Sequence, residues 1–380
     1  MPRLSSFVSS LRPSVFATLN EKMKSLPEPP ICLHLGDTYA LPPEAAQWGH
    51  LVHTSADYRY SHPFGLPDLL EALAEKLRRQ NEIPADSSWV QVTCGATQAL
   101  HCGLQTLIEP GQSVMILAPY WPLFGGMTRL LGAEAYEVHC TPRLLAGEIG
   151  LAELLEEAYK PNVRALYFAN PNNPDGYVYS PEELETLSDF ARRHDLWVFS
   201  DECYEHYLYE GQRHLSIASL PDMAGRTLTA FSFSKSFAMA GHRLGYAVAA
   251  PALMGPLRRS ANHTVYNVCS SVQRAGLETL RQAENFCALW LPEYEAARKR
   301  MGQALGCPPP RGGGYYFPRY ASPEVAWNTL ERALQRGVVL APGAAFGEAY
   351  ADSLRICFTC VPPDELERAC QVLAELRPIA

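Results

Sequence analysis

The chain has 380 residues, 47% hydrophobic and 19% charged, with 32 Lys and Arg against 40 Asp and Glu. A formal net charge of -8, with no basic run or basic-aromatic stripe, argues against a nucleic-acid surface. The length allows a large core and two domains or lobes.

The 11 cysteines are scattered and odd in number. Several, such as Cys32, Cys102 and Cys357, sit in apolar runs, as small hydrophobes do in a reducing compartment. Met1-Pro2-Arg3-Leu4-Ser5 opens no apolar stretch of signal-peptide length, and no run reaches membrane-spanning length. The expected location is therefore cytoplasmic, with no membrane partner.

In chain order, Leu66, Leu69, Leu70, Leu73 and Leu77 fall at helical spacing, with Asp68, Glu71, Glu75, Lys76 and Arg78 on the opposite face. Residues 96–108 read as a second, more buried helix. Val114–Ala118 and Ala165–Ala169 are short apolar runs closed by Pro119 and by Asn170-Pro171, as buried strands are. Ser180-Pro181-Glu182-Glu183 is a helix start, with Ser at the N-cap and acids in the first turn. Strands follow at 196–199, 227–231 and 245–250. A long helical stretch is expected over about 252–305. Beyond the turn 308–314 come Tyr315-Tyr316-Phe317, a helix near 323–336, Val338–Leu340, a strand at 354–359 and a terminal helix from Pro363 to about Leu376.

Strands alternating with helices predict an α/β fold: a mostly parallel sheet sandwiched by helices. Residues 46–250 form the expected large domain. Residues 1–45 and 251–380 form an N-terminal arm and a smaller α+β domain. Ligands of such sheets sit at the carboxyl ends of the strands. Three polar clusters fall there: Asn170–Gly176, Ser200–Tyr204 and Ser232–Lys235.

Lys235 lies in Ser232-Phe233-Ser234-Lys235-Ser236, just past the apolar run 227–231, with Arg243 eight residues on. A partly desolvated amine near another cation loses its proton readily and attacks aldehydes, the chemistry of a Schiff base with pyridoxal phosphate. Asp201, after a strongly apolar strand, is costly to bury alone and calls for a cation, such as a protonated pyridine nitrogen; a helix N-cap is the alternative. Gly95-Ala96-Thr97 before the buried helix offers free N–H groups to a phosphate, or is an ordinary glycine turn and cap. In Asn170-Pro171-Asn172-Asn173-Pro174-Asp175-Gly176 the prolines hold extended kinks from which Asn173 can point its amide at a ligand. Arg243 suits a phosphate. Arg355, inside an apolar strand, suits a carboxylate or an internal salt bridge. Cys357-Phe358-Thr359-Cys360 matches C-x-x-C, but in an apolar strand it reads as core. Tyr60 is uninformative on its own.

In this order the motifs resemble the class I/II aminotransferases, pyridoxal-phosphate enzymes of the aspartate aminotransferase fold (fold type I). The resemblance runs from about Gly36 to Arg355. It rests on Asn-Pro-x-Asn-Pro-x-Gly, Asp-Glu-x-Tyr, Ser-x-Ser-Lys with Arg eight later, and the late Arg. It implies pyridoxal 5'-phosphate as cofactor, and an amino acid and a 2-oxo acid as substrates of a ping-pong transfer. By the same resemblance Lys235 would hold the cofactor as a Schiff base and then move the substrate's proton. Asp201 would pair with the ring nitrogen, and Asn173 and Tyr204 with the ring hydroxyl. Trp121 would stack on the ring. Gly95, Ala96, Thr97, Ser232 and Arg243 would hold the phosphate, and Gly36, Asn173 and Arg355 would frame the substrate carboxylate. Tyr60 would reach the phosphate of a neighbouring subunit, which implies a homodimer.

Two positions depart from the family pattern. Asp175 stands where threonine is common, and His242 precedes Arg243 where an apolar residue is usual. Tyr266-Asn267 and Tyr315-Tyr316 are read as pocket lining or as core. The same motifs also serve a lyase or an amino-acid-modifying synthase, by elimination or cyclisation, in which no 2-oxo acid is needed. The fold also occurs as an effector-sensing module in transcriptional regulators. Only about 45 residues precede it here, without a basic face, which speaks against that use.

Overall fold

The computed structural model describes residues 5–9, 11, 15–24, 26–51 and 54–377. The signal-peptide reading of Met1–Leu4 and the last three residues of the expected small domain fall outside them. Helices α1 (Ser6–Ser9) and α2 (Val15–Lys24) precede strand β1 (Ile31–Cys32). Then come α3 (Pro67–Gln80), β2 (Val90–Thr93), α4 (Gly95–Leu107), β3 (Ser113–Ala118), α5 (Pro122–Leu130) and β4 (Glu134–His139). Next are α6 (Thr141–Leu145), α7 (Leu151–Ala158), β5 (Val163–Ala169), α8 (Pro181–Arg193), β6 (Trp197–Asp201), β7 (Thr227–Ser232) and β8 (Gly245–Val248). The last third holds α9 (Pro251–Thr264), α10 (Ser270–Arg281), α11 (Ala283–Leu305), β9 (Tyr315–Tyr316), α12 (Pro323–Gln335), β10 (Val338–Val339), β11 (Ala341–Pro342), β12 (Leu354–Cys357) and α13 (Pro363–Glu375).

The main sheet has the order β2-β8-β7-β6-β5-β3-β4. All its pairings are parallel except the two made by β8, which runs against β7 and β2. Every residue of β3 is buried, because helices cover both faces of the sheet. Helix α8 starts as its sequence dictates. Ser180 Oγ accepts from Glu183 N at 3.2 Å, and Glu183 Oε2 accepts from Ser180 N at 2.8 Å, a reciprocal capping box.

A second, antiparallel sheet has the order β11-β12-β9, and β1 pairs in parallel with β10. Leu19 and Leu33 of the N-terminal segment are buried in the same core cluster as Tyr294, Ile356 and Leu366. The N-terminal segment therefore packs on the C-terminal third of the chain. None of the helices described is long and apolar enough to cross a membrane.

Three expectations need correction. The single helical stretch over 252–305 is three helices. Val265 is extended, and the Asn267 amide donates to Ser61 Oγ and to the Val268 carbonyl, so a side chain takes a carbonyl that a continuous helix would use. The strand expected to reach Thr359 ends at Cys357. There Phe358 N turns to the Gly314 carbonyl, and Thr359 Oγ1 donates to the Asp37 carbonyl at 2.8 Å. Lys76, placed on the polar face of α3, is buried, because its ammonium meets Glu205.

Candidate active site

Strands β5, β6 and β7 are neighbours, so the polar clusters that follow them come together at one edge of the sheet. The start of α4 joins them there. Gly245, first in β8, pairs with Ser232 on one side and Thr93 on the other. A Cβ on Gly245 would lie 2.7 Å from the Gly95 carbonyl carbon and 2.8 Å from Ala96 N. Only glycine lets the α4 N-terminus come this close to β7.

A cavity of about 170 Å³ opens at this edge. It is lined by Ala96, Thr97, Trp121, Asn173, Asp201, Tyr204, Ser232, Lys235 and Arg243, all of them singled out by the sequence. Gly95 lies beneath Arg243, whose Nη2 would be 2.7 Å from a Cβ there. Arg243 adopts a left-handed backbone with φ 55° and donates from Nη1 to the Ala240 carbonyl at 2.9 Å. Gly36 and Arg355 are linked to the cavity through its lining. Lys235 Nζ donates to the Gly36 carbonyl, and Arg355 Nη1 donates to Asn173 Oδ1 at 3.0 Å. Tyr60 is not in the cavity. It is 85% exposed and meets Tyr266 edge-on at 5.2 Å.

Asp201 is 8% exposed. Its carboxylate accepts from Cys203 N at 3.2 Å and from Tyr167 Oη at 3.3 Å. No salt bridge to it occurs among the described residues. Burial pushes its carboxyl above the ordinary carboxylate range. Such a group gains most from a cation placed in the cavity it faces.

Lys235 stands in a braced loop. Tyr207 Oη donates to the Lys235 carbonyl at 3.1 Å, and Trp290 Nε1 of α11 donates to the Ser236 carbonyl at 3.0 Å. The His206 ring is hydrogen-bonded to Ser236 Oγ at 3.0 Å. Beside His206, Glu205 accepts from Lys76 Nζ at 2.6 and 2.5 Å and from Asn81 Nδ2 at 2.8 Å. Glu202 accepts from Ser200 and Ser216 at 2.9 and 2.7 Å and bonds His214 at 2.8 Å. The 200–206 segment is thus held by its own buried polar groups.

The two departures from the family pattern lie outside the cavity lining. Asp175 accepts from Thr141 Oγ1, from Asn172 Nδ2 at 2.8 Å and from Tyr177 N at 3.1 Å, so it ties its own turn together. His242 stacks on Trp48 with centroids 4.4 Å apart and donates from Nε2 to the Ala46 carbonyl at 2.6 Å. Cys357 and Cys360 are free thiols, and their sulfurs donate to the Asp37 and Cys32 carbonyls.

Sequence reasoning did not assign Ala169, Cys203 and Ser234 to the lining. Each stands within or beside a cluster it did identify: Ala169 ends β5, and Cys203 and Ser234 lie in the turns after β6 and β7. Tyr315 was left between pocket and core. It is buried, hydrogen-bonded to Tyr204 and stacked under Arg355.

Known proteins match this chain over most of its length. The family described as Aminotransferase class I and II matches residues 34–373. A probable aspartate/prephenate aminotransferase of Thermus aquaticus is 33% identical over 363 residues, covering 91% of this chain and 94% of that protein. Aromatic-amino-acid aminotransferase 2 of Thermococcus litoralis is 34% identical over 311 residues, 79% of each. A solved structure of Thermus thermophilus aspartate aminotransferase, a double mutant, has a TM-score of 0.88 at 30% identity, covering 99% of this chain and 100% of that one. With a match spanning both sheets and the cavity between strand ends and α4, the chain belongs to the aminotransferase class I and II family.

Proposed function

We propose that this chain is a pyridoxal-phosphate-dependent aminotransferase that passes an amino group from an amino acid to a 2-oxo acid in two half-reactions. One observation carries the reading. Asp201 is a buried carboxylate without a cationic partner among the described residues, in the same cavity as Lys235. The family works with pyridoxal phosphate, and the side chains here suit that group. Asp201 matches its ring nitrogen, and Asn173 and Tyr204 match its ring hydroxyl. Trp121 offers it a flat face. The N–H groups of Gly95, Ala96 and Thr97, with Ser232 and Arg243, match its phosphate.

When bound, the cofactor supplies an aldehyde for amines and a cationic ring that draws electrons. Lys235 Nζ holds it, then takes the proton from the substrate Cα and serves as donor for its return. Arg355 and Gly36 orient the substrate by its α-carboxylate. Arg355 is 5% exposed, and its guanidinium is packed between Tyr315 and Phe346, each ring 4.6 Å away. Those rings exclude water and strengthen the charge pairing. Tyr60, exposed beside Tyr266, serves the site of a second copy, so the active unit is a homodimer.

The named relatives are aminotransferases, which favours amino-group transfer over elimination or cyclisation. The test is to load the protein with cofactor and add amino acids one at a time, following the visible spectrum and product with and without a 2-oxo acid. Conversion of the spectrum by amino acid, and its reversal by 2-oxo acid, are expected. Lys235→Ala should show neither the lysine-bound chromophore nor transfer. Product formed in repeated turnover, beyond one equivalent per site, without a 2-oxo acid would indicate elimination or cyclisation. Undiminished transfer by Lys235→Ala would end the proposal.

A further inference from the structure

The ring of Tyr315 packs on Arg355, but its hydroxyl has no role in the reading above, and the side chain touches three residues that do. It lies on β9, paired with Cys357, so Arg355 two residues along β12 is on the same face of the sheet. The phenol is 1% exposed. Its hydroxyl is hydrogen-bonded to the hydroxyl of Tyr204. A Cβ at Gly36 would stand 2.4 Å from that hydroxyl and 3.5 Å from Arg355 Nη1. The Arg355 guanidinium lies 4.6 Å from the ring centroid. One side chain therefore joins the segment after β6, the N-terminal segment and the second sheet.

A tyrosine hydroxyl has one hydrogen to give and lone pairs to receive. If Tyr204 gives its hydrogen to the ring hydroxyl of bound pyridoxal phosphate, the remaining bond of the pair runs from Tyr315 to Tyr204. Both phenols keep their protons, since burial pushes each well above its ordinary range. The charged and titratable groups around the pair include Arg355, Cys357 and Cys360, with Tyr207 edge-on to Tyr204 and Asp201 and Lys235 lining the same cavity. Arg355, lying against Tyr315, makes that phenol the better donor. Donors in series polarise one another.

We propose that Tyr315 is a positioning residue that couples the carboxylate-binding Arg355 to Tyr204, donating to the Tyr204 hydroxyl so that Tyr204 becomes a stronger donor to the cofactor's ring oxygen. The inference rests on the cofactor reading given above. A stronger donor to the ring oxygen withdraws charge from it. The proton that the oxygen shares with the lysine nitrogen is then released at lower pH.

The experiment is a spectrophotometric pH titration of the cofactor-loaded protein, read at the visible band of the lysine-bound cofactor. Tyr315→Phe keeps the ring against Arg355 and removes only the hydroxyl. It should raise the midpoint by about half a pH unit, the size of one neutral hydrogen bond acting at second hand. Tyr204→Phe should raise it further, and adding Tyr315→Phe to Tyr204→Phe should change nothing more. An unmoved midpoint in Tyr315→Phe overturns the inference, as does an equal shift in the Tyr204→Phe background. Tyr315→Met, read the same way, serves if the phenylalanine variant does not fold. A wild-type protein with no titrating visible band would instead refute the cofactor reading itself.

Discussion

Replacing Lys76 with methionine isolates a buried lysine–glutamate pair beside the site. The ammonium sits 2.6 and 2.5 Å from the two Glu205 oxygens, with side-chain exposures of 7% and 10%. It also lies 4.4 Å from the centroid of the Phe231 ring, a cation–π contact away from water. Burial pushes the Glu205 carboxyl up, but Lys76 foremost, then His206 and His214, bring it down to about 2. Against an ordinary glutamate that depression corresponds to about 3 kcal/mol. Lys76→Met keeps the volume and leaves a buried carboxylate without its cation, a change that costs about 3–5 kcal/mol. At roughly 2.1 cal/mol/K per residue, unfolding 380 residues together has an entropy of about 0.8 kcal/mol/K. Tm should therefore fall by about 4–6 °C. Calorimetry and urea unfolding at pH 7, at fixed cofactor concentration, give the two numbers. The double variant Lys76→Met/Glu205→Leu removes both charges and should recover more than half of the loss. The reasoning fails if the single variant costs under about 1 kcal/mol, or if the double variant is no more stable than the single.

Gly36→Ala puts a methyl 2.4 Å from the Tyr315 hydroxyl, and overpacking of that kind costs about 1–3 kcal/mol. A lower Tm and a raised KM for the amino acid are expected. Tyr315→Phe should relieve part of both, and a Tm equal to wild type would show that the notch has room. Acid stability has a defined sign. Burial brings His206 down to about 4, so it is neutral in the fold and must gain a proton on unfolding. Its contribution is complete above the unfolded value near 6.5 and is lost as pH falls through the folded value, by up to about 3 kcal/mol. Glu205, also depressed, follows with the same sign from about 4.5 towards 2. Urea midpoints between pH 7 and 4 should fall steadily, and His206→Gln should flatten that limb; an unchanged slope would remove His206 from the account.

What was legible in the sequence was local. Apolar runs closed by polar or proline clusters announced β3, β5, β6 and β7, and Ser180 with Glu183 announced the start of α8. Because parallel strands place their carboxyl ends at one edge, Asn173, Asp201 and Lys235 could be brought together before any coordinates. What was hidden depends on distant pairs. Tyr204 and Tyr315 are 111 residues apart, and Lys76 and Glu205 are 129 apart, so neither pair leaves a local pattern. β4 is an edge strand with only Val138 buried, and its alternation is too weak to read. The breaks at Val265 and Gln282 are made by caps and side-chain bonds that periodicity does not register.

Gly245 has a consequence for how such a site can change. Main chain of α4 touches main chain of β7 and β8 across it, with nothing in between. The separation between the main chain of Gly95–Ala96 and the end of β7, from which the Lys235 loop leaves, is therefore set by backbone atoms. Surrounding side chains can be exchanged, and with them the molecules admitted, while those two anchors keep their spacing. The glycine works as a fixed gauge, and the rest of the cavity is free to drift around it.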